Sequence, residues 1–168
     1  MDEQKTLEAA ASGPGEGQAI WFRNNRITFK ATAATTGGLF GLFEVLAPPG
    51  DSPPLHIHRR DDESFFVVEG QLRFRCGERD IAAAPGSFVF LPRGVPHTFL
   101  VEGTANARLL GLLTPGGGEQ FFVDAGRPAE SDGLPQETPP DMEVLMRAAA
   151  KNGLEIVGPP MMPAGRQG

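Results

Sequence analysis

The sequence of 168 residues contains no tyrosine, one tryptophan, one cysteine and three histidines. The single cysteine, Cys76, cannot form an internal disulfide bond, and such bonds are typical of small secreted domains. The first residues, "MDEQKTLEAAASGPGEGQ", contain neither a charged-then-apolar signal peptide nor an apolar run long enough to cross a membrane. We therefore expect a soluble cytoplasmic protein with no membrane partner.

Basic charge is also scarce, with a net charge of −6 at pH 7 and a pI near 5.1. The one conspicuous basic pair, Arg59-Arg60, is followed at once by Asp61-Asp62. The sequence therefore contains no basic cluster of the kind that binds nucleic acid, and no nucleic-acid partner is expected. A glycine-rich dinucleotide fingerprint and a phosphate loop are both missing, so hydride transfer and nucleotide hydrolysis have no support.

Turn-forming residues are abundant instead, since the chain has 22 glycines and 16 prolines. After a polar segment expected to be a flexible tail (residues 1–18), at least seven short runs rich in Ile, Val, Phe, Leu and Thr alternate with turn clusters. This spacing predicts an all-β sandwich or barrel. Near the other end, "PPDMEVLMRAAAKNG" predicts one helix over about residues 140–152, with Asn152-Gly153 as its stop.

The three histidines are placed where they can meet. His56 and His58 lie two residues apart, so in a strand both imidazoles point to one face. The charged run "RRDD" suits a turn, which would reset the alternation and let Glu63 point to the same spot from the next strand. His97 follows the turn-forming "PRGVP" and begins the apolar "HTFLV". Three imidazoles and a carboxylate suit one divalent iron, nickel, cobalt, manganese, copper or zinc ion.

A metal site of this kind uses all the histidines of the chain. Triads of the Ser-His-Asp or Cys-His type need a free imidazole as the base. No such hydrolase mechanism is therefore expected, and a bound metal would have to carry the chemistry. Many of the 12 phenylalanines lie in the predicted strands. Most are expected in the core, and those facing inward would line an apolar pocket that suits a flat aromatic ligand.

Two segments carry a family resemblance. "GDSPPLHIHRRDDESFFVVEG" resembles the first cupin motif, G(x)5HxH(x)4E(x)6G, at every fixed position. "GSFVFLPRGVPHTFLV" resembles the second, G(x)5PxG(x)2H(x)3N, at every fixed position but the last, where Val101 stands in place of Asn. That Asn is not a metal ligand in the family, so its loss puts a local hydrogen bond in doubt and leaves the site intact.

The resemblance implies a cupin double-stranded β-helix, or jelly-roll barrel, with a short C-terminal helical extension. We place the barrel at residues 19–114 and the extension, with its helix packing on the barrel, at residues 115–168. The implied metal ligands are His56, His58, Glu63 and His97. We also expect a homodimer.

Residues from about Trp21 to Pro160 resemble the quercetin 2,3-dioxygenase-like single-domain cupins of bacteria. This resemblance implies a metal-dependent dioxygenase that opens the ring of a flavonol such as quercetin with O2. The three histidines would hold the metal as neutral imidazoles. Glu63 would be a ligand and, by accepting the proton of the flavonol 3-hydroxyl, the general base.

Two other classes of function stay open. The first is a metal-dependent isomerase, lyase or decarboxylase acting on a small oxo-acid or sugar, which would use arginines to clamp a carboxylate or phosphate. The second is a non-catalytic module that binds a small molecule. It is disfavoured because the sequence shows no attached DNA-binding segment to act as an output. The fold alone does not choose among these functions.

Overall fold

The structure is a computed structural model that describes residues 7–163. Residues 1–6 of the predicted tail and residues 164–168 of the predicted extension lie outside the described part. The strands are β1 (Ala19–Phe22), β2 (Asn25–Ala31), β3 (Gly41–Ala47), β4 (Leu55–His58), β5 (Asp62–Glu69), β6 (Gln71–Cys76), β7 (Arg79–Ala83), β8 (Phe88–Leu91), β9 (His97–Glu102), β10 (Ala107–Thr114), β11 (Arg127–Pro128) and β12 (Leu154–Gly158). The helices are α1 (Ala33–Thr36), α2 (Gln120–Ala125) and α3 (Met142–Asn152).

The strands form two antiparallel sheets. The larger sheet has the order β11-β1-β2-β3-β10-β5-β8, and the smaller one the order β12-β4-β9-β6-β7. Side chains from the two sheets meet in one core, where the ring of Phe65 on β5 lies 5.7 Å from the rings of Phe74 on β6 and Phe99 on β9. The predicted all-β jelly-roll architecture is confirmed.

Alternation along β5 shows how the sequence selects this arrangement. Phe65 and Val67 are buried, whereas Phe66 and Val68 are largely exposed, as expected for a strand with one face on the core. The turn after β5 depends on Gly70, which has a φ of 92°. A Cβ atom on Gly70 would lie 2.7 Å from Cα of Ala107, so this position admits only glycine.

The segment after β10 closes one side of the barrel. Asp141 caps the N-terminus of helix α3, where its carboxylate accepts hydrogen bonds from the backbone amides of Glu143 and Val144. Gly153, which has a φ of 75°, follows the last residue of the helix and caps its C-terminus. The predicted helix over about 140–152 is thus present, and β12 then pairs with β4. Sequence analysis did not find β1, α1, α2, β11 or β12.

None of the helices within residues 7–163 combines the length and the apolar character that crossing a membrane requires.

Candidate metal centre

The four residues predicted as ligands come together between the two sheets. His56 and His58 lie on β4, and His97 begins the neighbouring strand β9, where it pairs directly with His56. Glu63 lies on β5, which belongs to the other sheet. One nitrogen or oxygen atom from each residue lies within 4.8 Å of the corresponding atoms of the other three.

Local structure explains why this stretch of sequence gives such a cluster. The imidazoles of His56 and His58 share one face of β4, while Ile57 is buried on the other. After His58 the chain bends at Arg59 and Arg60 and crosses to β5 in the other sheet, where the side chain of Glu63 faces the histidines. The glutamate Oε2 lies 3.2 Å from Nε2 of His97 and 3.7 Å from Nε2 of His58. The run "RRDD" was expected to form a turn before a strand that opens at Glu63; instead the chain bends at Arg59 and Arg60, and β5 already begins at Asp62.

Each imidazole is oriented through its other ring nitrogen. The Nδ1 atoms of His56 and His97 lie 2.7 and 2.9 Å from the carbonyl oxygens of Pro54 and Val95. Nδ1 of His58 lies 3.2 Å from Oδ2 of the buried Asp61. All three partners accept hydrogen bonds, so each neutral ring must carry its proton on Nδ1. The Nε2 lone pairs are then free to face the centre.

The orientation of the imidazoles shows that a metal ion fits between them and Glu63. If Nε2 of His97 presents a lone pair, it stands 3.2 Å from a carboxylate oxygen of Glu63, and two such groups repel each other. A cation between them removes the repulsion and accepts both as ligands. Hydrogen-bonded outer partners of this kind orient the ligand histidines of metal sites. The donor set and its orientation therefore fit one divalent transition metal ion.

Sequence analysis missed Asp61, which holds His58. This residue is 2% exposed, and its Oδ1 has no hydrogen-bond partner among residues 7–163. A side chain at position 118 would collide with Asp61, so Gly118 leaves room for it. The only indication in the sequence was the pair Asp61-Asp62 shortly after the two histidines, but the two aspartates have different roles. Asp62 turns outward and pairs with Arg93.

The electrostatics of the cluster favour a cation. Burial raises the pKa of a carboxyl group, but when the imidazoles are protonated the charge of His58 and a hydrogen bond from Nε2 of His97 outweigh burial and lower the pKa of Glu63 to about 2. Burial lowers the pKa of His56 to about 3. For His58 burial acts in the same direction, but the Glu63 and Asp61 carboxylates raise the pKa above its ordinary value. Two buried carboxylates thus supply negative charge that a proton or a metal ion can balance.

A cavity leads to the cluster and has a volume of about 70 Å³. His56, His58 and Glu63 contribute to its wall, and so do six phenylalanines: Phe22, Phe43, Phe65, Phe99, Phe121 and Phe122. The sequence predicted an apolar pocket lined by inward-facing phenylalanines of the strands, and three of the six come from predicted strands. Phe121 and Phe122 come from α2, whereas Phe22 comes from β1, and neither element was predicted.

Comparison with known proteins agrees with the fold and with the motifs. Residues 43–114 match the family described as "Cupin domain". The chain is 28% identical to quercetin 2,3-dioxygenase of Bacillus subtilis over an alignment of 123 residues, and this alignment covers 73% of the chain. The same alignment covers only 36% of that enzyme, so this chain spans little more than a third of its length.

Solved structures resemble the chain in fold. KdgF from Halomonas sp. matches with a TM-score of 0.58 at 14% identity, covering 67% of this chain and 98% of that protein. A predicted oxalate decarboxylase from Thermotoga maritima matches with a TM-score of 0.55 at 18% identity. The match covers 64% of this chain and 99% of that protein. At such low identity these likenesses concern the fold alone.

Proposed function

We propose that this chain, a member of the cupin superfamily, is a metal-dependent dioxygenase that opens the ring of a flavonol-like aromatic substrate with O2. One observation carries the proposal: three imidazoles and the Glu63 carboxylate converge at the end of a cavity walled by phenylalanines. The relationship to a quercetin 2,3-dioxygenase supports the choice of reaction. The metal ligands would be His56, His58, Glu63 and His97.

The bound ion would act as a Lewis acid that makes a substrate hydroxyl more acidic. Transfer of the hydroxyl proton would fall to a residue of the chain. Glu63 is ionised at neutral pH, so it can accept the proton of that hydroxyl, although its low pKa makes it a weak base. Proton transfer therefore depends on a hydroxyl that is already acidified. The product of the transfer is the electron-rich enolate form that reacts with O2.

The cavity wall has two roles in this proposal. Aromatic side chains offer flat apolar surfaces to a flat ligand, and they keep water away from reactive intermediates. Two of these side chains, Phe121 and Phe122, come from α2.

Surface arginines give little support to the alternative of an enzyme for small oxo-acids or sugar phosphates. Arg59, Arg75 and Arg93 pair with exposed or half-exposed carboxylates outside the cavity. Among residues 7–163, Arg23 is the only arginine that lines the cavity, and it pairs with Asp51. Apart from the proposed metal ion, the cavity wall thus offers no uncompensated positive charge with which to clamp a carboxylate or phosphate.

Oxygen consumption tests the proposal directly. The protein is loaded in turn with each of the six divalent ions, and oxygen uptake is measured with quercetin and related flavonols. We expect uptake that scales with bound metal, and release of a ring-opened phenolic product. Protein that binds metal and quercetin but consumes no oxygen with any of the six ions would refute the dioxygenase function.

A further inference from the structure

A second polar group of side chains lies in the wall of the cavity, on the tight turn between β1 and β2. Arg23 and Asn25 both line the cavity together with His56, His58 and Glu63. Arg23 has a φ of 54°, and within residues 7–163 it is the only residue other than glycine with a positive φ. A strained conformation of this kind costs about 1 kcal/mol or more and is common at binding sites.

The amide of Asn25 is oriented unambiguously. Its Nδ2 donates a hydrogen bond of 3.1 Å to Oδ2 of Asp51, and an ionised carboxylate can only accept. The amide oxygen Oδ1 is therefore the atom that points elsewhere. Asn25 is 4% exposed, and its Oδ1 has no hydrogen-bond partner in the part of the chain that the structure describes. A buried acceptor without a partner costs about 1–3 kcal/mol.

Arg23 contributes the complementary atom. Its Nη2 donates to Oδ1 of Asp51 at 3.2 Å and to the carbonyl oxygen of Ser52 at 2.7 Å. The other terminal nitrogen, Nη1, is buried and has no acceptor among the described residues. The Asp51 carboxylate binds both side chains, so the free donor and the free acceptor belong to one hydrogen-bonded group in the cavity wall. It also balances the charge of the guanidinium.

We propose that Arg23 and Asn25 bind a hydroxyl group of the aromatic substrate, with Arg23 Nη1 donating a hydrogen bond to the hydroxyl oxygen and Asn25 Oδ1 accepting a hydrogen bond from the hydroxyl. This inference rests on the proposed function, because it concerns the same cavity. A hydroxyl is both a donor and an acceptor, so it satisfies both atoms at once. The structure thereby defines a substrate class, namely a polyhydroxylated aromatic that carries a hydroxyl besides the one deprotonated at Glu63.

Other polar groups fit this pair less well. A carboxylate can only accept, so it would leave Asn25 Oδ1 unsatisfied and would approach the Asp51 carboxylate. An ammonium group can only donate and would be repelled by the Arg23 guanidinium. The Arg23–Asp51 pair is neutral overall, which suits a neutral ligand group. Selectivity for a hydroxyl is strong where its absence leaves buried polar atoms unpaired.

The test compares two flavonols that share the 3-hydroxyl and 4-carbonyl groups but differ in their ring hydroxyls. Binding of quercetin and of 3-hydroxyflavone is measured by calorimetry on zinc-loaded protein without oxygen, so that no turnover is needed. The wild type should bind quercetin about tenfold more tightly than 3-hydroxyflavone. This factor corresponds to about 1.4 kcal/mol of binding free energy from the added hydrogen bonds. In Asn25→Ala this preference should fall to about twofold or less.

Two further variants make the test specific. Asn24→Ala removes the neighbouring amide of the same turn, which lines an outer groove instead of the cavity, and should keep the tenfold preference. Arg23→Asn tolerates the positive φ but is too short to reach the hydroxyl, so it should lose the preference even if Asn25→Ala does not fold. An unchanged preference in Arg23→Asn and in folded Asn25→Ala overturns the inference. A wild type without any preference, including one that binds neither flavonol, also overturns it. A preference that persists without oxygen uptake would refute only the dioxygenase function.

Discussion

The replacement of Asp61 by asparagine should weaken metal binding although Asp61 is not itself a predicted ligand. Its Oδ2 lies 3.2 Å from Nδ1 of His58 and fixes the proton on that nitrogen. The amide in Asp61→Asn can keep an oxygen at this position but loses the negative charge that makes Nε2 of His58 a better donor. Loss of such an outer partner usually costs 10–100-fold in metal affinity, which corresponds to about 1.4–2.8 kcal/mol. We therefore expect the dissociation constant for Zn²⁺ to rise by that factor.

The adjacent aspartate provides a matched control. Asp62→Asn removes the same charge one residue away, but its side chain pairs with Arg93 outside the cluster. Competition against a chromophoric chelator at pH 7.5 gives the affinities of the wild type and both variants. Asp61→Asn should be weaker by at least tenfold and Asp62→Asn should stay within twofold. Equal affinities for the two variants would refute the argument that Asp61 orients His58.

Further predictions concern the ligands, the base, an ion pair and the exposed face of the larger sheet. Loss of any one ligand histidine should remove most bound metal and lower the melting temperature, as elemental analysis and melting curves can show; the variants are His56→Ala, His58→Ala and His97→Ala. Glu63→Gln should keep part of its metal and still bind quercetin, but lose about a hundredfold in turnover measured by oxygen uptake; normal turnover would remove Glu63 as the base. Asn152 and Lys151 lower the pKa of Asp124, so its stabilising effect is complete above the pKa of an unfolded aspartate and is lost as the pH falls through the folded value. The melting temperature of Asp124→Asn should therefore lie below that of the wild type at pH 7 and converge with it in acid. If the predicted homodimer uses the exposed face around Phe88, which is 64% exposed, then Phe88→Asp should sediment as a monomer.

Much of the centre was predictable because its geometry is local. The alternation of a strand places His56 and His58 on one face whatever surrounds them, and the turn-forming "RRDD" makes a return strand at Glu63 the natural outcome. The position of His97 beside them depends on a pairing between distant strands. The resemblance to the two cupin motifs implied that His97 joins the other ligands, whereas periodicity alone would not have done so.

The missed features depend on tertiary contacts. Helix α2 is short and follows a glycine run, so no local signal marks it, and its stability comes from packing such as that of Phe121 on Phe22, with ring centres 5.4 Å apart. Asp61 and Asp62 look alike in the sequence, and only the fold turns one inward and the other outward. Among residues 7–163, one atom each of Arg23 and Asn25 has no partner, while Asp51 and the Ser52 carbonyl bind the neighbouring atoms of these side chains.

The distribution of the four residues over two sheets has a consequence for how the protein would acquire its ion. Because β4 and β9 belong to one sheet and β5 to the other, the complete set of donors does not exist until the two sheets have docked. A half-formed chain offers at most the three imidazoles. Selection of the ion would thus take place on the finished barrel, and the supply of metals around the folded protein, more than the order of synthesis, would decide which one it carries.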